Sequence, residues 1–263
     1  MRIFCVSDLH SDFHENWLLL DRLPSREYSR DTLIVAGDVA DKFDTIRRTL
    51  ELLRSKFARV FYTPGNHELW VRGDWRNSLQ KLEHLLELCD TLDVLTRPAE
   101  AAGYWVVPLL SWYDHSLGGN SAVNPAELEG WGDFHFCRWP DRLGEPAEYL
   151  LNMNEPVIRR HYDKPVITFS HFLPRRELLP DSGRLRFKAL PQVAGSAKLD
   201  QQIRAVGSTI HVFGHSHINR DQTIEGVRYV QHAMLYPRER EWLGTAGYEY
   251  WSSGGPLLEL VKD

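Results

Sequence analysis

The sequence predicts an α/β fold built around parallel β-strands. One observation behind this is a set of five short apolar runs, rich in Val, Ile and Phe, that lack the polar alternation of a half-exposed strand. The other is that helix-like segments, with apolar residues three and four apart, separate the first three runs. Strand, helix, strand, helix, strand is the order that parallel βαβ units require. At 263 residues the chain can bury a large core, and its 43% hydrophobic and 25% charged residues are those of a globular protein.

The runs are "RIFCVS" at 2–7, "TLIVAG" at 32–37, "ARVFYT" at 58–63, "PVITFS" at 165–170 and "TIHVFG" at 209–214. After the first run, Glu15 to Leu23 carries Trp17, Leu18, Leu19 and Leu20. After the second, Asp44 to Phe57 sets Ile46, Leu50, Leu53 and Phe57 on one face. The segment 73–92, with Leu79, Leu82, Leu85, Leu86 and Cys89, is a longer amphipathic helix candidate. Past "GYWVVPLLSWY" at 103–113 the pattern breaks. Residues 114–145 mix Gly, Asn, Pro and Trp irregularly, as an insertion would, and a helix is expected around 146–162. The segment 223–233 reads as a hairpin turning at Glu225-Gly226, and "PLLELV" at 256–261 as a last strand. No repeat or linker divides the chain, so one domain over 1–263 with an insertion at about 114–145 is expected.

Bulk properties exclude several classes. The net charge of −5 provides no global positive field, so no stable nucleic-acid complex is expected. Cys5, Cys89 and Cys137 are sparse and unpaired in spacing, as free thiols in a reducing compartment would be. The first strand begins at residue 2, which leaves no room for a secretory signal, and no apolar run reaches membrane-spanning length. A cytoplasmic protein without membrane association is the expectation.

The residues that end the runs carry the chemistry. The first ends in Asp8-Leu9-His10, the second in Gly37-Asp38, the third in Gly65-Asn66-His67-Glu68, the fourth in His171 and the fifth in Gly214-His215-Ser216-His217. In α/β sheets the carboxyl edge of the strands is where ligands bind. Mixed oxygen and imidazole donors suit borderline divalent ions such as Mn, Fe or Zn, rather than Mg or Ca. Asp8, His10, Asp38, Asn66, His171, His215 and His217 are too many donors for one open catalytic ion. They suffice for two ions about 3.5–4 Å apart that share a bridging carboxylate. His215 and His217, two apart in an extended backbone, can aim at one region of space.

The set "DLH … GD … GNHE … SH … GHSH", in this order over residues 8 to 217, resembles the calcineurin-like metallophosphoesterase superfamily. The resemblance implies a four-layer α/β sandwich, two central mixed β-sheets flanked by helices. It also implies ligands: Asp8, His10, Asp38 and His217 for one ion, and Asp38, Asn66, His171 and His215 for the other, with Asp38 bridging. A hydroxide held between the ions would attack phosphorus in line. His67, beside Asn66, is the candidate general acid for the leaving alkoxide. Several relatives place the carboxylate partner of this histidine where Asp41 stands, and Glu68 is expected behind the ligands.

Departures from the pattern narrow the activity. "GDVADKF" lacks the Arg-Gly that follows this motif in protein serine/threonine phosphatases, and Asp41 stands where purple acid phosphatases carry tyrosine. "GNHE" differs from the Gly-Asn-Arg-Asp of UDP-diacylglucosamine hydrolases. The expected function is hydrolysis of phosphomonoesters or phosphodiesters, on a small-molecule phosphate ester or a nucleotide. A metal-binding scaffold on the same fold is the alternative, against which the intact donor set argues. The sequence assigns neither substrate nor oligomeric state. Trp112, Trp131, Phe134, Phe136 and Trp139 are expected in a local core, Arg175 and Arg176 at the surface, and "PRERE" at 237–241 as a solvated loop or helix start.

Overall fold

A computed structural model describes residues 1–73, 75–119, 125–245 and 255–262. The five apolar runs all become strands: β1 (Arg2–Val6), β2 (Thr32–Ala36), β3 (Arg59–Thr63), then, after β4 (Ala99–Ala101) and β5 (Tyr104–Pro108), β6 (Val166–Phe169) and β7 (Ser208–Phe213). The hairpin is β8 (Arg220–Ile224) and β9 (Val227–Gln231), turning through left-handed Glu225 and Gly226 (φ 49° and 86°). The last strand is β10 (Leu258–Lys262).

The strands form two mixed sheets, ordered β10-β1-β2-β3 and β4-β5-β6-β7-β9-β8. The inner pairs β1–β2, β2–β3, β5–β6, β6–β7 and β7–β9 are parallel, and β10, β4 and β8 pair antiparallel at the edges. Alternation along each strand sorts side chains into layers. Ile3, Cys5, Ile34, Ala36 and Phe61 face Val106, Ile167, Phe169, Ile210, Val212 and Val230 of the other sheet. Their neighbours Phe4, Val6, Leu33, Val35, Val60 and Tyr62 face helices instead. Those helices are α1 (His14–Asp21), α2 (Phe43–Lys56) and, beyond the short α3 (Asn66–Leu69), α4 (Ser78–Thr91). Leu20, Ile46, Leu50, Leu53, Leu85 and Cys89 supply their apolar faces. The second sheet's outer face is covered in the same way, by Leu151 of α7 (Pro146–Asn152) and by Leu199 and Ile203 of α10 (Ala197–Ala205). The result is the four-layer α/β/β/α sandwich that the resemblance implies.

Three details depart from the sequence expectations. The helix expected over 146–162 is two, α7 and α8 (Glu155–Ile158), with Pro156, which has no N–H to continue the first helix, in the opening turn of the second. The 73–92 helix begins only at Ser78, where the Asn77 side chain accepts from the Gln80 N–H and caps it; residue 74 lies outside the described residues. The irregular stretch 114–145 contains α5 (Pro125–Glu129) and α6 (Gly132–Phe136), and its residues 120–124 lie outside the described residues. Among the described residues no helix is long and apolar enough to cross a membrane.

Candidate metal centre

The carboxyl ends of β1, β2, β3, β6 and β7 meet at a seam between the sheets. Backbone bonds stitch it: Ser7 N–H donates to His232 O, Asp8 N–H to Gly37 O, His10 N–H to Asp38 O, and Gly214 N–H to His171 O. Glu68, fully buried, accepts from the N–H groups of Asp38, Val39 and Gly65 at 3.1, 2.6 and 2.9 Å, tying the second motif to the third. Sharp turns then aim the side chains inward. Asp8, His10, Asp38, His215 and His217 all have left-handed backbones, with φ between 42° and 70°.

All seven expected donors converge, together with His67. In one cluster, His217 Nε2 lies 3.0 Å from His10 Nε2 and 3.5 Å from Asp8 Oδ1. In the other, His171 Nε2, His215 Nδ1 and Asn66 Oδ1 lie 3.0 to 3.2 Å from one another. Asp38 stands between them, with Oδ1 3.4 Å from His171 Nε2 and Oδ2 4.0 Å from His10 Nε2. Groups able to hold an ion are Asp8–His10–His217, Asp8–Asp38–His171 and His10–Asp38–His67.

The second cluster's hydrogen bonds show what it lacks. His171 Nδ1 is 2.9 Å from Ala36 O and His215 Nε2 is 3.0 Å from Val193 O, so each ring's N–H is used there. The Asn66 amide donates to Asp133 Oδ1 at 2.8 Å. What remains facing inward is two ring nitrogens, the Asn66 amide oxygen and Asp38 Oδ1, which also accepts from the His67 N–H at 3.0 Å. Four lone pairs crowded at such distances repel unless a cation sits among them, and outer bonds of this kind are how metal-binding histidines are oriented. The residues fit divalent ions.

Electrostatics agree. Burial pushes the imidazoliums of His10 and His215 well below the usual histidine range. Burial also opposes charge on His217, but the carboxylates of Asp8 and Glu239 outweigh it and raise that ring. Burial, with Glu68 and Asp8 nearby, raises the Asp38 carboxyl well above the carboxylate range. Burial also opposes ionisation of Asp8, but His217 beside it outweighs that and lowers its carboxyl; positive metal charge would likewise favour the ionised form of Asp38.

His67 stands at the mouth. Its side chain is 16% exposed, against 3% for Asp38, and its ring lies tilted against Trp70 with centroids 3.8 Å apart. Burial lowers its imidazolium to about 3. The mouth opens into a cavity of about 1260 Å³ that runs past Phe13, Lys42, Arg186, Arg238 and Trp242.

Asp41 is not placed as expected. Its carboxylate pairs with Arg72 Nε at 3.0 Å, and no hydrogen bond or ion pair joins it to His67 among the described residues. The group at hydrogen-bond distance from His67 Nε2 is the Tyr236 hydroxyl, at 3.2 Å. The "PRERE" stretch is likewise no mere solvated surface. It opens α11 (Pro237–Thr245), and Glu239 Oε2 accepts from His217 Nδ1 at 2.7 Å. Asp133, inside the irregular 114–145 stretch, is a third residue the sequence does not reveal. It accepts from Asn66 and Trp70 through Oδ1 and from Trp131 through Oδ2. Trp131 therefore serves both the local core and the site, while Arg175 is occupied by Glu177, Asp200 and Glu225.

This arrangement defines a metal-dependent phosphoesterase. The family model of the calcineurin-like phosphoesterases matches residues 1–219, and the chain belongs to that family. Among characterised relatives, the chain is 29% identical to the [acyl-carrier-protein] phosphodiesterase PptH of Mycobacterium tuberculosis (strain ATCC 25618 / H37Rv), over 90% of this chain and 78% of the relative. The crystal structure of phosphopantetheinyl hydrolase (PptH) from Mycobacterium tuberculosis superposes with a TM-score of 0.78 at 25% identity, covering 100% of this chain and 96% of that one.

Proposed function

We propose that this chain is a two-metal phosphodiesterase that hydrolyses the phosphoester bond between a phosphopantetheinyl group and an acyl carrier protein. The observation that carries the two-metal part is the pair of donor clusters flanking Asp38. Asp8, His10, Asp38 and His217 would hold one ion, and Asp38, Asn66, His171 and His215 the other. When bound, divalent ions of the Mn, Fe or Zn type would supply an activated water as nucleophile and offset charge on the phosphoryl oxygens. Water that has given up a proton forms the new bond to phosphorus, the bond from phosphorus to the carrier-protein oxygen breaks, and that oxygen takes a proton. His67, at the mouth and facing the Tyr236 hydroxyl, is the residue positioned to give it. Burial lowers its imidazolium, and an anionic diester bound beside it would act in the opposite sense and favour the proton it has to give.

The likeness to PptH over nearly the whole chain supports the substrate class. So does the cavity, which at about 1260 Å³ exceeds the roughly 300–1,000 Å³ of ordinary small-ligand sites. A free phosphate ester or nucleotide fits the same cations, and the assay separates the two. Chelator-treated protein is reloaded with manganese and given phosphopantetheinylated carrier protein, bis-p-nitrophenyl phosphate or p-nitrophenyl phosphate. Mass spectrometry of the carrier protein is expected to show loss of the phosphopantetheinyl group. Asp38→Ala abolishes turnover, and His67→Ala lowers it by about 10²–10⁴-fold. Turnover of the small esters with an unchanged carrier protein would refute the substrate assignment, and equal rates in Asp38→Ala would refute the site.

A further inference from the structure

One turn of the chain contributes to the centre from beyond residue 219, where the family match stops. After β9 the backbone passes through Met234 and Leu235 and enters α11. Leu235 is fully buried with φ +67°, an uncommon conformation for a residue with a large side chain. Such strain persists where its surroundings over-determine it. Here the Asn16 amide, buried in α1, donates to Leu235 O at 2.8 Å and to Leu9 O at 2.7 Å. It thereby joins the turn to the segment between Asp8 and His10. Arg240 Nη1 donates to Met234 O and Leu235 O, both at 2.8 Å, and its Nη2 to Asn16 Oδ1 at 2.6 Å.

The clamped turn presents two groups to the centre. The Tyr236 ring stacks on His10, with centroids 4.1 Å apart. Glu239 Oε2 accepts from Tyr236 N–H at 3.0 Å and from His217 Nδ1 at 2.7 Å. A carboxylate accepting from Nδ1 fixes the ring and turns Nε2 towards Asp8 and His10, the side on which an ion would sit. Without it the ring can rotate, or adopt the tautomer whose Nε2 carries hydrogen.

We propose that Glu239 is a positioning residue for the metal centre, holding His217 in the orientation and tautomer that bind one of two ions. The inference rests on the reading of His217 as a ligand. Its test is metal affinity, measured by calorimetric titration of chelator-treated wild type, Glu239→Ala and Glu239→Gln with manganese and zinc. The melting temperature of each metal-free protein is recorded alongside. Glu239→Ala should lose about 10–100-fold in affinity for one ion and keep wild-type affinity for the other. Glu239→Gln, whose amide oxygen can still accept from Nδ1, should recover part of that loss. The metal-free melting temperatures should coincide, which a purely structural role would not produce. With bis-p-nitrophenyl phosphate at subsaturating metal, kcat should fall while KM holds. Wild-type affinity for both ions in Glu239→Ala would overturn this inference alone, as would a loss matched by a lower metal-free melting temperature. Wild type that takes up no divalent ion would overturn the two-ion reading and this inference together.

Discussion

Gly65 shows how little room the centre leaves. A Cβ at this position would lie 2.2 Å from Asp38 Oδ1 and 2.8 Å from His171 Nε2, both of them proposed ligand atoms. Real Cβ atoms do not approach that closely, so Gly65→Ala must displace the Asp38 carboxylate. Manganese-dependent turnover is expected to fall at least about 100-fold, the scale of a misplaced catalytic group. Circular dichroism of the folded variant and its diesterase rate check this; a rate near wild type would contradict the geometry. At this scale the sequence was highly legible, because each of the seven donors ends an apolar run or follows it within a few residues. It did not reveal Tyr236, Glu239 or Asp133, and it expected Asp41 beside His67. Asp41 lies in the right turn, but Arg72 draws its carboxylate away. Glu239 sits in a charged run of ordinary solvated composition, so nothing local marks it.

Among the elements, the irregular stretch 114–145 was the least readable, since neither of its short helices has enough turns to show a period. It nevertheless delivers Asp133, a 2% exposed carboxylate that three N–H donors surround. Burial raises its carboxyl, while the bonds from Trp70, Asn66 and Trp131 oppose that rise. Asp133→Ala would leave those buried donors unpaired, at about 1–3 kcal/mol for each that water cannot reach. Urea unfolding of the metal-free protein is expected to register that loss, and Asn66, freed from its partner, should bind metal less tightly. Stability equal to wild type would remove Asp133 from this role. The strands contrast with this stretch. Two-residue alternation in β1, β2 and β3 sends one set of side chains to the other sheet and the next to the helices, so their burial on both faces could be read directly.

For the molecule as a whole, the layer between the second sheet and its covering helices also sets a pH response. His211 in β7 is fully buried, with Nδ1 2.9 Å from Thr168 Oγ1 and Nε2 3.1 Å from Ser170 Oγ. Burial lowers its imidazolium from 6.5 to about 3. Between those values the unfolded chain binds a proton that the folded chain refuses. This contribution is therefore complete above about pH 6.5 and is lost at about 1.4 kcal/mol per unit as pH falls towards 3. Urea unfolding at pH 7 and pH 5 should show a smaller loss for His211→Gln than for wild type, by about 2 kcal/mol. Equal losses would mean that the ring is protonated inside the fold.

The sequence by itself determined the α/β class, the five apolar strands and the residues proposed as donors. Those depend on short-range facts, namely which residues are apolar and which polar residue follows each run. The tertiary structure decided which groups stand behind the donors. Asp133 and Glu239 reach Asn66 and His217 from 67 and 22 residues away along the chain. A hydrogen bond across such a span leaves no periodic trace, because it depends on where packed layers bring two distant turns and not on any local pattern.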